Sequence, residues 1–95
     1  MSVGVIATFI AKPEAAKQVE EALRKVVAPS RIDDGCEDYA LHHDQENTYC
    51  YYMLERWNDA DALARHQKQE HFKKLIGTLE GKLESLDVKV LDNLL

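Results

Sequence analysis

The sequence predicts a single α+β domain of the ferredoxin-like class, with the order β-α-β-β-α-β, an antiparallel sheet and helices on one face. Three observations predict it: short strand-like runs at both ends and in the middle, helical apolar spacing between them, and polar turn residues at the junctions. No repeat, linker or low-complexity segment divides the 95 residues, so we expect residues 1–95 to form one domain.

The first third of the chain predicts one strand and one helix. Residues 3–10, VGVIATFI, are β-branched and aromatic, which is typical of a strand. Pro13 suits the first turn of a helix, and Pro29 is expected to end that helix near Ala28. Between the prolines, apolar residues recur at spacings of three and four, which predicts one buried helical face. That face consists of Ala16, Val19, Leu23 and Val26.

Residues 37–43 and 48–57 predict a hairpin that turns at residues 44–47. The second strand is apolar or aromatic on both faces. Because the helices cover only one face, the other would remain as an exposed apolar patch, which monomers rarely show. We therefore predict a homodimer that packs sheet against sheet. Tyr49, Tyr51 and Met53 point one way, and Cys50, Tyr52 and Leu54 point the other.

The two cysteines are expected to be reduced thiols. If the hairpin closes at the predicted turn, position 43 faces position 48. Cys50 then lies opposite about Leu41, and Cys36 opposite about Glu55, so a bridge between them would need a different register. Two cysteines without a signal peptide are also more typical of free thiols than of a disulfide.

The second half predicts two helical segments and a last strand. Asn58 and Asp59 offer side-chain oxygens to cap a short helix over residues 60–66. A second segment follows, weakened by glycines at positions 77 and 81. Residues 86–91 predict the last strand. The apolar face of the second segment consists of Phe72, Leu75, Ile76, Leu79 and Leu83.

Charge and composition exclude several classes of partner. The formal net charge is −5, which argues against binding a nucleic-acid backbone and against an anionic membrane surface. The N-terminal apolar run has no basic segment before it and no small-residue cleavage site after it. It is also far shorter than the roughly 20 residues that span a bilayer. We expect a cytoplasmic protein with no membrane and no nucleic-acid partner.

A strand-to-helix corner carries the clearest chemical candidates. Glu55 and Trp57 share a strand face, and His66 lies three residues after Leu63, near the inward side of its helix. The three side chains are therefore expected to converge. A histidine beside a carboxylate is a plausible general base, because its pKa lies near neutrality. The spacing alone favours a simpler reading, in which a buried histidine is hydrogen-bonded and holds the corner together.

The sequence predicts neither a metal site nor a cofactor site. His42 and His43 are adjacent on a strand and point to opposite faces. His66 and His71 are five residues apart, a poor spacing for chelation on one helix, and His66 with Glu70 would supply only two ligands. Glycine-rich phosphate loops, a serine elbow and a CxxC pair are all absent.

The aromatic residues admit two readings. They are consistent with ordinary core and dimer packing. They also fit a pocket for a flat organic ligand, in which tyrosine hydroxyls orient the ligand, although packing is the favoured reading. The set comprises Tyr39, Tyr49, Tyr51, Tyr52, Trp57 and Phe72.

Residues 35–75, GCEDYALHHDQENTYCYYMLERWNDADALARHQKQEHFKKL, resemble the signature of the antibiotic biosynthesis monooxygenase family. The pattern reads G-C-x-x-Y-x-L, a D-x-E turn, then E-x-W, A-L-x-x-H and H-F-x-x-L. The first strand and helix also fit, so the resemblance covers nearly the whole chain. The matching residues are Gly35, Cys36, Tyr39, Leu41, Asp44, Glu55, Trp57, Ala62, Leu63, His66, His71, Phe72 and Leu75.

The resemblance implies a dimeric α+β barrel with a pocket between sheet and helices. It also implies a cofactor-independent monooxygenase, an oxidoreductase that oxidises a quinol or polyphenol-like aromatic with O₂. On this reading His66 is the base or orienter and Glu55 is its partner. The resemblance assigns substrate binding to Trp57, Tyr51, Phe72 and His42.

Two other functions remain open at this point. Members of the wider superfamily include isomerases of small metabolites, and a histidine proton shuttle would serve such an isomerase or lyase. A non-catalytic dimeric module that binds a small ligand is the other alternative. The resemblance also implies that a haem-degrading member would have an Asn in the first strand and a Trp and a His in the second helical region. That branch is not expected here, because the first strand has no Asn and no Trp follows Trp57.

Overall fold

The chain folds as a four-stranded antiparallel sheet with helices packed on one face. The computed structural model describes residues 1–95. Its elements are β1 (Val3–Ala11), α1 (Ala16–Arg31), β2 (Cys36–His43), β3 (Cys50–Trp57), α2 (Ala60–Gln67), α3 (Glu70–Leu79) and β4 (Leu83–Asp92). The strands lie in the order β2-β3-β1-β4. This confirms the predicted ferredoxin-like α+β class, with the second helical region divided into two helices.

The core lies between the inner face of the sheet and the helices. Alternate residues of β1 are buried from Val3 to Ala11, as expected for a strand with one face on the core. Val19 and Leu23 of α1 have no exposed surface, and Val26 is also buried. The predicted helical face therefore packs against the predicted strand. Ala16 is only partly buried at the edge of this core.

Helix α1 extends beyond the predicted end near Ala28, and Pro29 lies inside its last turn. A proline cannot donate its backbone nitrogen, but in the last turn this removes only one helical hydrogen bond. The extension places Ser30 in the core with no exposed surface. It also lets Nε of Arg31 donate to the carbonyl oxygen of Tyr39 at 2.9 Å. These contacts favour continuing the helix. Its first turn is replaced by a 3₁₀ helix at Pro13–Ala15.

The predicted hairpin register is wrong, because the turn is longer than expected. His43 pairs with Tyr51, and Cys36 pairs with Trp57. The side chain of Asp44 accepts backbone N–H bonds from residues 46 and 47, and the amide oxygen of Asn47 accepts another from residue 49. These local bonds hold residues 44–49 in a turn, so β3 begins at position 50. The two cysteines are free thiols.

The transition from α3 to β4 also differs from the prediction. Leu83 was expected on the helical face but begins β4, and β4 is longer than residues 86–91. The helix ends at Leu79, and Gly81 then adopts φ +76°, a left-handed conformation that glycine tolerates without strain. None of the three helices combines the length and the apolar character required to cross a lipid bilayer.

Apolar residues remain exposed on both faces of the sheet. Leu86, Val88 and Val90 pair with buried residues of β1 and so share the inner face, yet about half of each is exposed. The helices therefore leave β4, an edge strand, largely uncovered. On the outer face, Ile6 and Leu54 are each more than a third exposed.

Candidate functional site

An apolar cavity of about 80 Å³ lies between the sheet and helices α2 and α3. Eleven of its 14 lining residues are hydrophobic, and the polar ones are Glu55, His66 and Gln67. The cavity is therefore a small apolar chamber with two ionisable side chains in its wall. Its hydrophobic lining comprises Val5, Ala7, Phe9, Tyr39, Leu63, Phe72, Leu75, Ile76, Leu86, Val88 and Val90.

His66 is buried in this wall and is held from one side only. Its Nδ1 lies 2.7 Å from Oδ2 of Asp33, the distance of a charge-assisted hydrogen bond. An ionised carboxylate can only accept, so neutral His66 carries its proton on Nδ1 and donates it to Asp33. Nε2 is buried and has no hydrogen-bond partner within the protein. The ring therefore presents an unused lone pair.

Burial lowers the pKa of His66, because the interior disfavours the imidazolium. The hydrogen bond and the charge of Asp33 oppose this effect, and the neighbouring His71 adds to it. The net direction keeps His66 neutral at neutral pH. A neutral imidazole with a free Nε2 and a carboxylate on Nδ1 is the arrangement of a general base.

Asp33 reaches His66 because the loop after α1 docks tightly against α2. Gly35 has φ +86°, and a Cβ built there would lie 2.5 Å from Cβ of Ala62. Its carbonyl oxygen accepts the backbone N–H of Asn58 at 2.8 Å. Only glycine permits this approach. Asp33 was not among the predicted site residues, since nothing in RIDDGC distinguishes it from the exposed Asp34, which pairs with Arg65 at 3.6 Å.

The same oxygen of Asp33 also contacts His71. Nε2 of His71 lies 2.8 Å from Oδ2 of Asp33, and the His71 side chain is 21% exposed. A spacing of five residues does not bring two rings together on one helix. Here α2 ends at Gln67 and α3 starts at Glu70, so the predicted division into two helices lets both rings reach Asp33. The three ligand-type atoms lie within 4.8 Å of one another.

Glu55 lines the cavity but does not pair with His66 as expected. Its Oε1 accepts the Nε1–H of Trp57 at 2.9 Å. Burial raises the pKa of Glu55 to about 7, although the Trp57 hydrogen bond opposes the shift. Asp33 is therefore the partner of His66, and Glu55 is a second group that titrates near neutrality.

The predicted aromatic wall is formed only in part. Phe72 lines the cavity, and its ring centroid lies 5.2 Å from that of His66. Tyr39, which the sequence did not assign to the site, also lines it at 5.5 Å from His66. Trp57 is fully buried behind the wall, 4.6 Å from the His66 ring, and supports His66 and Glu55 rather than lining the chamber.

Tyr51 and His42 lie elsewhere. Both line a separate, charged cavity of about 360 Å³, together with Glu20 and Arg24 of α1. The hydroxyl of Tyr51 donates to Oε1 of Glu20 at 3.0 Å. Four strand positions separate Tyr51 from Glu55, which corresponds to roughly 13 Å along the strand. The single chain does not bring these two residues into the chamber of His66.

Comparison with known proteins assigns the family. The pattern that describes antibiotic biosynthesis monooxygenases matches residues 2–77, which is most of the chain. The chain belongs to the antibiotic biosynthesis monooxygenase family. The match contains all the polar residues of the chamber and the Asp33 loop, and it ends before β4.

Named relatives of this family member support the assignment. A Mycobacterium tuberculosis protein named "Putative monooxygenase Rv0793" is 30% identical over 70 residues, which are 74% of this chain and 68% of that protein. Its solved structure has a TM-score of 0.94 over 99% of this chain and 96% of its own, at 27% identity. The structure of PA3566 from Pseudomonas aeruginosa has a TM-score of 0.94 at 39% identity, covering 99% and 95% of the two chains. A crystal structure of an antibiotic biosynthesis monooxygenase has a TM-score of 0.91 at 30% identity, covering 98% and 99%.

Proposed function

We propose that this antibiotic biosynthesis monooxygenase family member oxidises a quinol or polyphenol-like aromatic with O₂, without metal or flavin. One observation carries the proposal. His66 is buried in an apolar chamber, Asp33 holds its Nδ1, and its Nε2 has no partner. The family and the name of the tuberculosis relative support the monooxygenase class. The quinol or polyphenol-like substrate and the reaction without metal or flavin go beyond the family and that name, and they are what we propose.

His66 would remove the phenolic proton. Its Nε2 accepts the proton, and the carboxylate of Asp33 stabilises the imidazolium that forms. The resulting phenolate is a much better electron donor than the phenol, and it transfers an electron to O₂. One oxygen atom becomes bonded to a ring carbon, and the other leaves as water. The quinol supplies all four electrons as it becomes a hydroxyquinone, so no external reductant is needed.

Glu55 would act as the acid in the same reaction, toward a ligand oxygen or the reduced oxygen. With a pKa of about 7, a substantial fraction of the carboxyl group is protonated at neutral pH. A neutral carboxyl can donate a hydrogen bond to a ligand oxygen or a proton to reduced oxygen. The chamber thus combines a base, His66, with an acid, Glu55.

Ligand entry requires the chamber to widen. Its volume of about 80 Å³ is below the roughly 150 Å³ of an engineered cavity that binds benzene. The wall on the β4 side consists of Leu86, Val88 and Val90, which are about half exposed and are not covered by a helix. The aromatic ligand would therefore enter past β4. The polar hydroxyls would then meet Glu55 and His66, and the ring would lie against Phe72.

Oxygen uptake by metal-stripped protein tests the proposal. The assay uses a panel of hydroquinones and polyphenols, with His66→Gln as the variant and His43→Gln as the control. His43 is exposed and bonds the carbonyl oxygen of Thr48, away from the chamber. The proposal expects uptake that survives chelation, falls at least about 100-fold in His66→Gln and persists in the control. Uptake that is equal in all three proteins removes His66 as the base, and uptake that requires metal overturns the cofactor-free reaction.

A non-redox isomerase or lyase is the second candidate, and the pair of Glu55 and His66 favours it. An acid and a base in one apolar chamber can move a proton between two positions of a small metabolite without O₂. Turnover under nitrogen distinguishes this candidate from the oxygenase. Ligand-induced thermal stabilisation without turnover under either gas would indicate a binding module.

We also propose that two copies pack through the outer face of the sheet, in the cytoplasm. Ile6, Leu54 and Leu91 expose apolar surface there. Four strands about 4.8 Å apart, with about 3.3 Å per residue, present roughly 500 Å² in projection on each copy. That area approaches the lower end of specific interfaces, about 1,200 Å² in total. Light scattering after gel filtration should give a dimer, and Leu54→Lys should give a monomer. A monomeric wild-type protein would exclude the dimer.

A further inference from the structure

His71 shares the carboxylate oxygen that orients His66, although it lies outside the chamber. Both ring nitrogens lie within hydrogen-bonding distance of Oδ2 of Asp33, at 2.7 and 2.8 Å. The three residues come from three elements: the loop after α1, the end of α2 and the start of α3. The break between the helices is what allows this shared contact.

We propose that His71 is a positioning residue, which fixes the Asp33 carboxylate on Nδ1 of His66 and keeps His66 unprotonated by competing for the same negative charge. The proposal rests on the proposed function in one respect, namely that His66 acts as the base. The competition between the histidines is a property of the folded protein and does not require turnover.

The Asp33 carboxylate is oriented by two histidine rings. Asp33 is 9% exposed at its side chain, so water contributes little to holding its carboxylate in place. The N–H of His71 approaches Oδ2 from the α3 side while the N–H of His66 approaches from the α2 side. Two donors on one oxygen fix the direction of the carboxylate. That direction sets the Nδ1–H tautomer of His66 and leaves Nε2 free.

His66 and His71 also compete for the single negative charge of Asp33. One carboxylate can offset the positive charge of one imidazolium, and two imidazolium rings around it would repel each other. His71 is 21% exposed and His66 only 1%, so water stabilises the cation of His71 far better. Positive charge on His71 offsets the charge of Asp33 and makes protonation of His66 harder.

Other charged groups face the pair from the surrounding elements. Around His66, the sheet contributes Tyr39 and Glu55, both in the same chamber wall. Around His71, the groove of about 480 Å³ between α1 and α3 contains one acid and three lysines. These lysines oppose the cation of His71, and the acid and Asp33 favour it. They are Glu21, Lys25, Lys74 and Lys82.

The distances favour a hydrogen-bonded cluster over a metal site. Three ligands at about 2.1 Å around a tetrahedral zinc would lie roughly 3.4 Å apart. Here the nitrogen–oxygen distances are 2.7 and 2.8 Å, which are hydrogen-bonding distances. The test nevertheless includes zinc, because two histidines and one carboxylate are a known ligand set.

Nitrogen-15 NMR of the histidine rings tests the proposal without any substrate. The proposal expects neutral His66 to carry its proton on Nδ1 and to leave Nε2 unprotonated. His71→Gln retains an N–H for Asp33 but cannot become a cation. In this variant the tautomer of His66 should persist and its pKa should rise by at least about half a unit, a threefold change in proton affinity.

Two further variants separate positioning from packing. His71→Leu removes the N–H as well as the charge, so the Nδ1–H tautomer of His66 should no longer dominate. His43→Gln, which removes an exposed histidine outside the cluster, should leave the His66 signals unchanged. Where an active substrate is found, the acid limb of kcat/KM should move to higher pH in His71→Gln but not in His43→Gln.

Three outcomes would overturn the proposal. The first is a neutral His66 that carries its proton on Nε2 in the wild-type protein. The second is an unchanged or lower His66 pKa in folded His71→Gln. The third is stoichiometric zinc binding to chelator-treated protein that shifts both histidine rings. Absence of oxygen uptake with a normal NMR result would count against the proposed function alone.

Discussion

The carboxylate of Asp33 lies 2.7 Å from Nδ1 of His66, although 33 residues separate them in the sequence. The contact depends on the left-handed backbone at Gly35, which brings the loop onto α2. It converts a buried histidine, which would otherwise be an unsatisfied polar group, into an oriented base. The chemistry of the chamber thus depends on a loop that does not line it.

Replacing Asp33 with Asn should reduce turnover by about 10²–10⁴-fold, because the amide can present either an acceptor or a donor to Nδ1. Loss of the carboxylate also removes the favourable charge for the imidazolium, so the pKa of His66 should fall further. Steady-state kinetics and nitrogen-15 NMR measure the two effects. Asp34→Asn is the matched control, since the side chain of Asp34 is almost entirely exposed. Equal losses in both variants would contradict the assignment.

Replacing Gly35 with Ala should lower the free energy of unfolding by about 2 kcal/mol or more. The substitution combines an unfavourable positive φ with a Cβ that would lie 2.5 Å from Ala62. Urea denaturation measures the change. Gly77→Ala is the control, because Gly77 lies within α3 with nothing within 4 Å of a built Cβ. That variant should gain up to about 1 kcal/mol, so a similar loss in both would exclude the steric explanation.

Replacing Glu55 with Gln should remove a pH dependence of stability. The folded-state pKa of about 7 exceeds the ordinary value of 4.5. Between these values the unfolded chain releases the proton while the folded chain retains it, so stability falls as pH rises through 7. The variant should therefore gain on the order of 1–3 kcal/mol relative to wild type between pH 4.5 and pH 8.

Urea denaturation at several pH values measures this gain. Comparing Glu55→Gln with wild type at each pH also cancels the contribution of His66. Burial depresses the pKa of His66, so that contribution is lost as pH falls below about 6.5. Glu84→Gln, at an exposed position of β4, is the control. A difference between Glu55→Gln and wild type that does not change with pH would refute the shifted carboxyl.

Replacing Tyr51 with Phe should lower stability by about 1 kcal/mol, through loss of its hydrogen bond to Glu20. Because Tyr51 lies in the separate charged cavity, kcat/KM should stay within about twofold of wild type. Phe72→Ala, in the chamber wall, should instead raise KM. A large rise in KM for Tyr51→Phe would restore the role that the family resemblance assigned to it.

Periodicity was sufficient to predict most of the fold. The alternation of β1 and the spacing of Val19, Leu23 and Val26 reflect burial against a common core, and burial is what periodicity records. The predicted register of the hairpin was wrong because the side chains of Asp44 and Asn47 lengthen the turn. This local effect leaves no periodic pattern in the sequence. The predicted end of α1 was wrong because the buried contacts of its last turn outweigh the cost of a proline.

The site was predictable only where it follows the strands and helices. Glu55 and His66 share the chamber because strand parity and helical spacing both direct them inward. The contacts of Asp33 with His66 and His71 were not predicted, because they depend on the conformation of the loop after α1 and on the packing of α3 beside the end of α2. The family signature contains Gly35 and His71, but it gives no physical reason for either until the loop and the break are seen.

Strand β4 closes one side of the chamber, and it is bonded to the sheet only through β1. Edge strands with exposed side chains are among the first segments to open in native-state fluctuations, and their amide hydrogens exchange with solvent accordingly. The wall that a large ligand must pass is thus an edge strand, which can open while the other three strands stay paired. Access to the chamber would then be governed by local opening of one strand rather than by a dedicated lid. A tightly bound ligand would slow amide exchange in β4 first.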